Sequence, residues 1–350
     1  MHYTMEQAQE AILKACRAMK DEGLIVRTWG NVSARLTEDA FLITPSGRDY
    51  DGMEPEDLVM VSVKDLKARG KYSPSSEKAM HAEIYKKRPE CGFIVHTHQK
   101  NASALSVAGE DLDIRKMAET PSFEDPGTPV VSAEELEALG DVVPCAKYAM
   151  SSTKLLARNV AKAVGRAPGA DAVLMRCHGA VCFGEDEEQA MRAAQALETA
   201  CAKIYEKKCG ETIDKESDEE LKKELTGGAF LHVRTPFVLE MSKRGRPVAA
   251  YLDDMAQMGG AETGCVGQQA GKREIAKALK GREAVFVKDD GAICIGMTAD
   301  DAEAVALVLE KNCMAANYAL KKALKPVPSA AAAVERRFYL KKYSTLKEED

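Results

Sequence analysis

The stretch FIVHTHQKNASALS, residues 93–106, places His96 and His98 two positions apart at the end of an apolar run. Alternate side chains of a β-strand point to the same face, so both imidazoles would share one face, roughly 6 to 7 Å apart along the strand. Such a pair can bind one metal ion, although an isolated pair in a soluble protein is more often a polar patch. The stretch therefore predicts a strand and makes a metal site one of two interpretations.

A third histidine supports the metal interpretation. His178 lies in MRCHGAV, residues 175–181, where a predicted strand meets a glycine turn. Three neutral imidazoles with one exchangeable position are typical of a catalytic zinc site rather than a closed structural one. Glu77 could occupy the fourth position until substrate arrives. Taken alone, a histidine such as His178 is more often a buried structural residue than a metal ligand.

The sequence contains an internal repeat. Residues 172–201 align with 284–313 at 11 identities in 30 positions, and residues 92–109 align with 228–245. His96 aligns with His232, but the partner of His98 is Arg234 and the partner of His178 is Asp290. The second copy is therefore a poor candidate for the same metal site. It has no counterpart of residues 1–90, and an acidic, proline-rich excursion at 110–142 is shortened in it.

These features predict three parts: a catalytic domain at 1–208, a charged linker at 209–227 and a degenerate partial repeat at 228–350. The linker is predicted because charge density rises there before the glycine pair at the start of the second copy.

Composition excludes several classes of protein. The formal charge of −6 and the pI near 5.7 argue against a nucleic-acid or anionic-membrane partner, since both select a basic surface. No run approaches the ~18 apolar residues of a membrane span, and the first helix carries charges where a signal peptide would be apolar. The ten cysteines include no CxxC pair and are expected to be reduced and buried. We expect a cytoplasmic protein.

Three short segments are suited to bind an anion. TWGNVSAR at 28–35, TPSG at 44–47 and SPSSE at 73–77 supply glycine turns, an amide, hydroxyls and a predicted helix start capped by Ser75 or Ser76. Each segment is individually common as a turn or a helix cap. Together they favour a phosphate site.

The order and spacing of these motifs resemble the class II aldolase/adducin family, which includes fuculose-phosphate aldolase and ribulose-phosphate 4-epimerase. The motifs are Gly30-Asn31, TPSG at 44–47, SSE at 75–77, His96-x-His98 and CHG at 177–179. The resemblance covers about residues 5–206, and residues 228–345 resemble a second copy of the family's C-terminal half.

The resemblance implies an α/β/α three-layer sandwich around a mainly antiparallel sheet, followed by a partial repeat of the same fold. It assigns His96, His98 and His178 as ligands of one Zn²⁺ per chain, although histidine also suits Mn²⁺, Co²⁺ and Fe²⁺. Glu77 matches the family's catalytic carboxylate. The phosphate-binding positions that match are Gly30, Asn31, Ser46, Gly47, Ser75 and Ser76.

The implied activity is that of a class II aldolase, a carbon–carbon lyase of carbohydrate metabolism. A ketose phosphate or related sugar phosphate would be cleaved through a zinc-bound enediolate to a fragment resembling dihydroxyacetone phosphate and an aldehyde. A 4-epimerase or a decarboxylase would use related chemistry, and a non-catalytic scaffold, as in adducin, is the alternative of another class. Glu77 within SSE favours an aldolase, whereas Trp29 and the IVHTH run are more typical of the epimerase. The family also implies a homo-oligomer.

One position departs from the family. A tyrosine from a neighbouring subunit donates a proton in fuculose-phosphate aldolase, and the matching position of the first copy is Arg115. The second copy carries Tyr251 there, in PVAAYLDDMAQM. We hypothesise that Tyr251 contributes to an active site; the alternative is that it packs on a helix face.

Overall fold

The computed structural model describes residues 2–122, 125–210 and 230–342. The chain divides into two compact units, Met1–Gly210 and Glu211–Asp350. The last helix of the first unit, Glu187–Cys209, extends into the predicted linker at 209–227, most of which lies outside the described residues. None of the helices in the described ranges is long and apolar enough to cross a membrane.

The first unit is built around one large sheet, whose strands are β1 Asn31–Thr37, β2 Ala40–Ile43, β3 Val59–Ser62, β4 Ala68–Arg69, β5 Phe93–Thr97, β8 Cys145–Ala146, β9 Ala172–Met175 and β10 Gly179–Gly184. Its eight strands run in the order β4-β3-β2-β1-β5-β10-β9-β8. Only β8 and β9 pair in parallel; every other neighbouring pair is antiparallel. A small separate sheet pairs β6, Leu112–Asp113, with β7, Val142–Val143.

Helices cover both faces of this sheet: α1 Met5–Asp21, α2 Lys78–Lys87, α3 Lys100–Ser106, α4 Ile114–Ala118, α5 Ala133–Leu139, α6 Lys154–Arg166 and α7 Glu187–Cys209. Helices α2 and α6 pack together over one face, and α7 packs with α1, α3 and α5 over the other. The core under α2 and α6 includes Phe41, Ile94, Val181 and Phe183. The predicted three-layer sandwich with a mainly antiparallel sheet is confirmed.

The acidic segment at 110–142 is not a simple excursion. It contributes β6, α4, α5 and the start of β7, and α5 packs against α7. Val130, Val131 and Leu139 are buried. The expectation that it lies outside the core is therefore wrong, because its few apolar residues suffice to anchor it.

The second unit has strands β11 Phe230–Val233, β12 Val248–Ala249, β13 Glu262–Val266, β14 Ala284–Val287 and β15 Gly291–Ile295. They form a sheet in the order β11-β15-β14-β13-β12. The helices are α8 Pro236–Lys243, α9 Asp253–Gly259, α10 Lys272–Ala278, α11 Ala299–Lys321 and α12 Ser329–Lys342. This sheet corresponds to β5-β10-β9-β8 of the first unit, including the single parallel pair, here β13 with β14.

The strand register reproduces the sequence alignment of the repeat. In the first unit His96 lies opposite Val181, and in the second unit His232 lies opposite Ile293. The alignment pairs His96 with His232 and Val181 with Ile293. The partial repeat is therefore a repeat of structure as well as of sequence.

A glycine at the start of β10 is required by close packing. A Cβ atom at Gly179 would lie 2.3 Å from the carbonyl oxygen of Thr97, and at the equivalent Gly291 it would lie 2.1 Å from that of Val233. Both contacts are with backbone, which cannot move aside without breaking the strand pairing. Gly165 in α6 has open space around its Cβ position.

Gly179→Ala is expected to lower the free energy of unfolding of the first unit by roughly 3 kcal/mol. Gly165→Ala is the matched control and should stabilise by about 0.5–1 kcal/mol, because alanine favours a helix. Urea unfolding of both variants, recorded with a chelator present, measures the difference. Equal stabilities would show that the Thr97 contact does not constrain the turn.

Candidate metal centre

The three predicted histidines come from two neighbouring parts of the sheet. His96 lies in β5, and His98 follows just after this strand ends. His178 lies in the turn between β9 and β10, where Cys177 adopts a positive φ of 61°. Because Ala180 of β10 pairs with Thr97 of β5, this turn is next to the end of β5. The topology therefore brings all three imidazoles together.

The imidazole nitrogens converge on one point. Nε2 of His96 lies 3.1 Å from Nε2 of His98 and 3.3 Å from Nε2 of His178. The Nδ1 atom of His96 donates a hydrogen bond to the carbonyl oxygen of Ala180 at 2.8 Å. This bond leaves Nε2 of His96 without a proton in the neutral ring, as a metal ligand requires.

Glu77 completes the cluster. Its Oε2 atom lies 3.0 Å from Nε2 of His96, and its Oε1 atom lies 3.4 Å from Nε2 of His178. The four side chains are 0 to 8% exposed. Oε1 is buried and accepts no hydrogen bond from the described residues. Burial disfavours the charged carboxylate, but the neighbouring His96 and His178 outweigh it and hold the pKa of Glu77 well below its usual range.

The donor set fits a divalent transition metal ion. Ligands about 2.0–2.1 Å from a tetrahedral ion lie roughly 3.3 Å from one another, close to the separations between these nitrogens. When all three nitrogens carry lone pairs, a cation between them removes their mutual repulsion. His96, His98 and His178 are also the residues whose ligand atoms group for a metal within the described part of the chain.

In the second unit the same positions hold an internal ion pair. Arg234 and Asp290 form a salt bridge, and Nε2 of His232 donates a hydrogen bond to the carbonyl oxygen of Asp290 at 2.7 Å. The guanidinium group of Arg234 therefore places a positive charge at the position that corresponds to His98 in the first unit.

Glu77 stands at the start of α2 rather than within it. The helix begins at Lys78 and Glu77 is its N-cap residue, so the prediction of Ser75 or Ser76 as the cap is wrong. The Ser75 hydroxyl instead accepts a hydrogen bond from the backbone N–H of Glu77 at 3.2 Å. This bond bends the chain before the helix, because a serine hydroxyl can replace a backbone acceptor in a turn.

The predicted phosphate-binding segments meet beside this turn. The backbone N–H of Ser75 donates to the carbonyl of Thr44, and that of Ser46 donates to the carbonyl of Ser73, both at 3.0 Å. Gly47 has a φ of 75°, which favours glycine. Gly30 allows close packing, since a Cβ atom there would lie 2.7 Å from the carbonyl oxygen of His96.

Ser152 was missed by the sequence analysis. It precedes α6, has a φ of 60°, and donates a hydrogen bond from its hydroxyl to that of Ser76 at 2.7 Å. A serine in the left-handed region is uncommon, and this backbone conformation, which the structure reveals, distinguishes Ser152 from other serines in the loops that the structure describes. Ser152 therefore contacts one of the residues predicted to bind phosphate.

Asn31, one of the predicted phosphate-binding residues, lies between Glu77 and His81. It lies opposite His96 in the pairing of β1 with β5 and is buried. Its Nδ2 atom donates to Oε2 of Glu77 at 3.1 Å, and its Oδ1 atom lies 2.5 Å from Nε2 of His81. The amide is thus directed at the carboxylate.

Tyr251 lies in the second unit, two residues after β12, just as Arg115 follows β6 in the first. Its side chain is buried, and burial raises the pKa of its phenol. Asn312 of α11 accepts a hydrogen bond from the backbone N–H of Tyr251 at 2.8 Å and donates one to the carbonyl of Ala249 at 3.1 Å. The segment that carries Tyr251 is therefore fixed to α11.

His81 makes the first unit sensitive to acid. Burial, together with the nearby His96, lowers the pKa of His81 from 6.5 to about 3. The folded state keeps this ring neutral while the unfolded state takes up a proton below pH 6.5, so stability is present above that pH and is lost as the pH falls toward 3. At 1.36 kcal/mol per pKa unit, the loss reaches about 5 kcal/mol.

Replacing His81 with glutamine should flatten this loss, because the titrating group is gone. Urea unfolding of metal-free protein between pH 7 and pH 4, compared with wild type, measures the slope. Parallel curves for the two proteins would contradict the assignment of the acid sensitivity to His81.

Residues 10–205 and 222–316 match the sequence model of the class II aldolase and adducin N-terminal domain. Among solved structures, an L-fuculose 1-phosphate aldolase is 28% identical over 61% of this chain and 93% of its own, with a TM-score of 0.49. A second solved structure is YgbL from Klebsiella pneumoniae, described as an aldolase/epimerase/decarboxylase. It is 24% identical, the match covers 63% of this chain and 100% of YgbL, and the TM-score is 0.50. The similarity to YgbL is one of fold.

Proposed function

The chain belongs to the class II aldolase and adducin family, and on this premise we propose that its first unit is a metal-dependent lyase acting on a ketose phosphate or related sugar phosphate. The observation that carries the proposal is the buried convergence of three imidazole nitrogens and the Glu77 carboxylate. In a non-catalytic scaffold, burying these four polar groups so close together without a cation would lower the stability of the fold and give no functional advantage.

His96, His98 and His178 would hold the metal ion, with zinc as the first candidate. When bound, such an ion polarises the substrate carbonyl and stabilises the negative charge that carbon–carbon cleavage produces. The buried histidines exclude water from one side of this position, which strengthens its electrostatic interactions.

Glu77 would move the proton. Its carboxylate accepts the proton of the hydroxyl group that is β to the carbonyl, and the bond between the α and β carbons breaks to release an aldehyde. The electron pair remains on the α carbon as an enediolate. The protonated Glu77, or Tyr251 acting as a second donor, then delivers a proton to this carbon, so that the two products together contain every atom of the substrate.

The phosphate group would bind at the loops carrying Ser46, Gly47, Ser75 and Ser76, with Gly30 and Asn31 at their edge. Backbone N–H groups at glycine turns and nearby hydroxyls bind phosphate without a dedicated positive charge. L-fuculose 1-phosphate aldolase, the name of a solved structure similar in sequence, supports a sugar phosphate as the substrate class.

The second unit would have a structural role. Its Arg234–Asp290 pair occupies the positions equivalent to His98 and His178, so the charge that a metal ion would bring is already present. Tyr251 is the residue through which this unit could take part in the reaction, as a proton donor to an active site in a homo-oligomer. Full turnover by Tyr251→Phe would exclude that role.

The test is a cleavage assay on the zinc-loaded full chain with a panel of ketose 1-phosphates, in which dihydroxyacetone phosphate is detected by coupled reduction to glycerol 3-phosphate. Release that depends on metal supports the lyase. Parallel samples with ketose 5-phosphates are analysed for epimerised sugar, and parallel samples with oxo-sugar acid phosphates are analysed for carbon dioxide. Either of those products without dihydroxyacetone phosphate would replace the aldolase with the corresponding alternative.

A further inference from the structure

A continuous row of buried polar side chains runs from Glu77 away from the metal centre. Asn31 donates to Glu77, and its Oδ1 atom lies 2.5 Å from Nε2 of His81. Nδ1 of His81 lies 2.7 Å from the hydroxyl of Ser33, which lies 2.8 Å from the hydroxyl of Tyr85. Asn31, Ser33, His81 and Tyr85 are at most 5% exposed.

The row depends on two short periodicities. Glu77, His81 and Tyr85 are spaced four residues apart and lie on one side of α2 and its N-cap, while Asn31 and Ser33 are alternate residues of β1 and share one face of the sheet. Helix α2 lies over this face, so each side chain of the helix meets one of the strand.

The direction of every hydrogen bond follows from the orientation of the Asn31 amide. Its nitrogen donates to Oε2 of Glu77 at 3.1 Å, so its oxygen, which can only accept, faces His81. His81 must therefore carry its proton on Nε2. Because the ring is neutral, Nδ1 has a lone pair and accepts from the Ser33 hydroxyl, which in turn accepts from the hydroxyl of Tyr85.

The opposite orientation of Asn31 would be unfavourable. It would place the amide oxygen against the Glu77 carboxylate, and two acceptors facing each other in a buried site lose a hydrogen bond and repel. The proton on Nε2 of His81 prevents this flip, since only the amide oxygen can accept it.

We propose that His81 is a positioning residue for Glu77, acting through the amide of Asn31. It fixes which end of that amide faces the carboxylate, and this fixes Oε2 beside Nε2 of His96. The inference rests on the proposed function only in that Glu77 serves the metal centre. It assigns a role at this centre to His81 and Asn31, which are not among the three residues whose ligand atoms group for a metal in the described part of the chain.

Two amide variants of His81 separate positioning from packing. In His81→Gln the longer side chain can place an N–H near the position of Nε2, which restores the bond to Asn31. In His81→Asn the amide reaches only the position of Nδ1, which restores the bond to Ser33 alone. Both variants remove the ring and both leave a polar side chain, so each is the control for the other.

The first readout needs no substrate. Titration of the metal-free variants with Co²⁺ gives a dissociation constant and a visible spectrum that reports the ligand geometry. His81→Asn should bind Co²⁺ about tenfold or more weakly than wild type with an altered spectrum, as is typical when a hydrogen bond to a metal-site carboxylate is lost. His81→Gln should stay within about threefold of wild type. Equal affinities and spectra for the two variants would overturn the proposal.

A double-mutant cycle between His81 and Asn31 tests the same proposal if the His81→Asn variant does not fold. Asn31→Ala removes the link while leaving His81 in place, and should weaken Co²⁺ binding to a similar extent. Adding His81→Ala, which removes the bond to Asn31, to Asn31→Ala should cause no further loss, because His81 acts through Asn31; a loss beyond that of Asn31→Ala would contradict this.

Cleavage kinetics then connect the effect to the reaction. His81→Asn should lower kcat about tenfold or more while KM for the sugar phosphate changes little, and His81→Gln should recover most of kcat. If wild type binds Co²⁺ but cleaves no ketose phosphate, the lyase proposal fails while the metal-affinity pattern still tests His81. If wild type cleaves and the two variants have equal kcat, the positioning role fails and the lyase stands.

Discussion

Replacing Glu77 with glutamine is expected to lower kcat for ketose phosphate cleavage by roughly 10²- to 10⁴-fold. Glutamine has nearly the same shape, and its amide oxygen can still accept the hydrogen bond from Asn31. It cannot take up the hydroxyl proton of the substrate or return a proton to the enediolate. Metal content should stay near that of wild type, because His96, His98 and His178 are intact. Steady-state kinetics and elemental analysis of the same preparation measure both quantities.

Glu83→Gln is the matched control. Glu83 lies in the same helix, α2, but is partly exposed and pairs with Lys86 at 2.8 Å. Such a pair contributes little to stability, so this variant should keep the kcat of wild type. A Glu77→Gln variant with unchanged kcat and bound metal would remove Glu77 from the reaction and with it the proposed proton transfer.

The second large effect concerns the histidines. His96→Ala is expected to reduce cleavage to the assay background, a loss of at least roughly 10³-fold, because several kcal/mol of carbonyl polarisation depend on the ion that this residue helps to hold. Dialysis of wild type against a chelator should have the same effect, and zinc should restore activity to wild type but not to the variant.

The internal repeat offers the control. His232 occupies the position equivalent to His96, and its Nε2 atom donates to the carbonyl of Asp290 instead of facing two other imidazoles. His232→Ala should therefore retain activity and metal-dependent recovery. Loss of activity in both variants to the same extent would indicate that the second unit takes part in metal binding.

The fold was accessible from the sequence through the resemblance of its motifs to a family, and the grouping of the histidines was accessible because it depends on local patterns as well. A period of two places His96 and His98 together at the end of β5, and the glycine after His178 marks the turn into β10. The repeat predicted a partial second copy of the fold, and residues 172–201 and 284–313 do form the same strand–strand–helix pattern in the two units.

The start of α2 was predicted incorrectly for a local reason. Ser75 and Ser76 are good caps by residue type, but the hydroxyl of Ser75 accepts from Glu77 in a turn that precedes the helix. Residue preference alone does not distinguish these two uses of one hydroxyl.

The row from Asn31 to Tyr85 was not predicted because it depends on the packing of α2 on β1. The two ring nitrogens of His81 bond to Asn31 and Ser33, which are 50 and 48 residues away in the chain. The four-residue spacing of Glu77, His81 and Tyr85 was a visible signal that these three residues share one side of the helix. Their partners on β1 became apparent only with the three-dimensional arrangement.

The central claim is that the first unit holds one catalytic metal ion, and the most direct test is the metal content per chain of purified protein, by elemental analysis, for wild type beside His98→Ala. We predict about one zinc per wild-type chain and a loss of this metal in the variant. Wild-type protein that takes up no metal even after zinc is supplied would contradict the account and would place the chain with the non-catalytic scaffolds of its family.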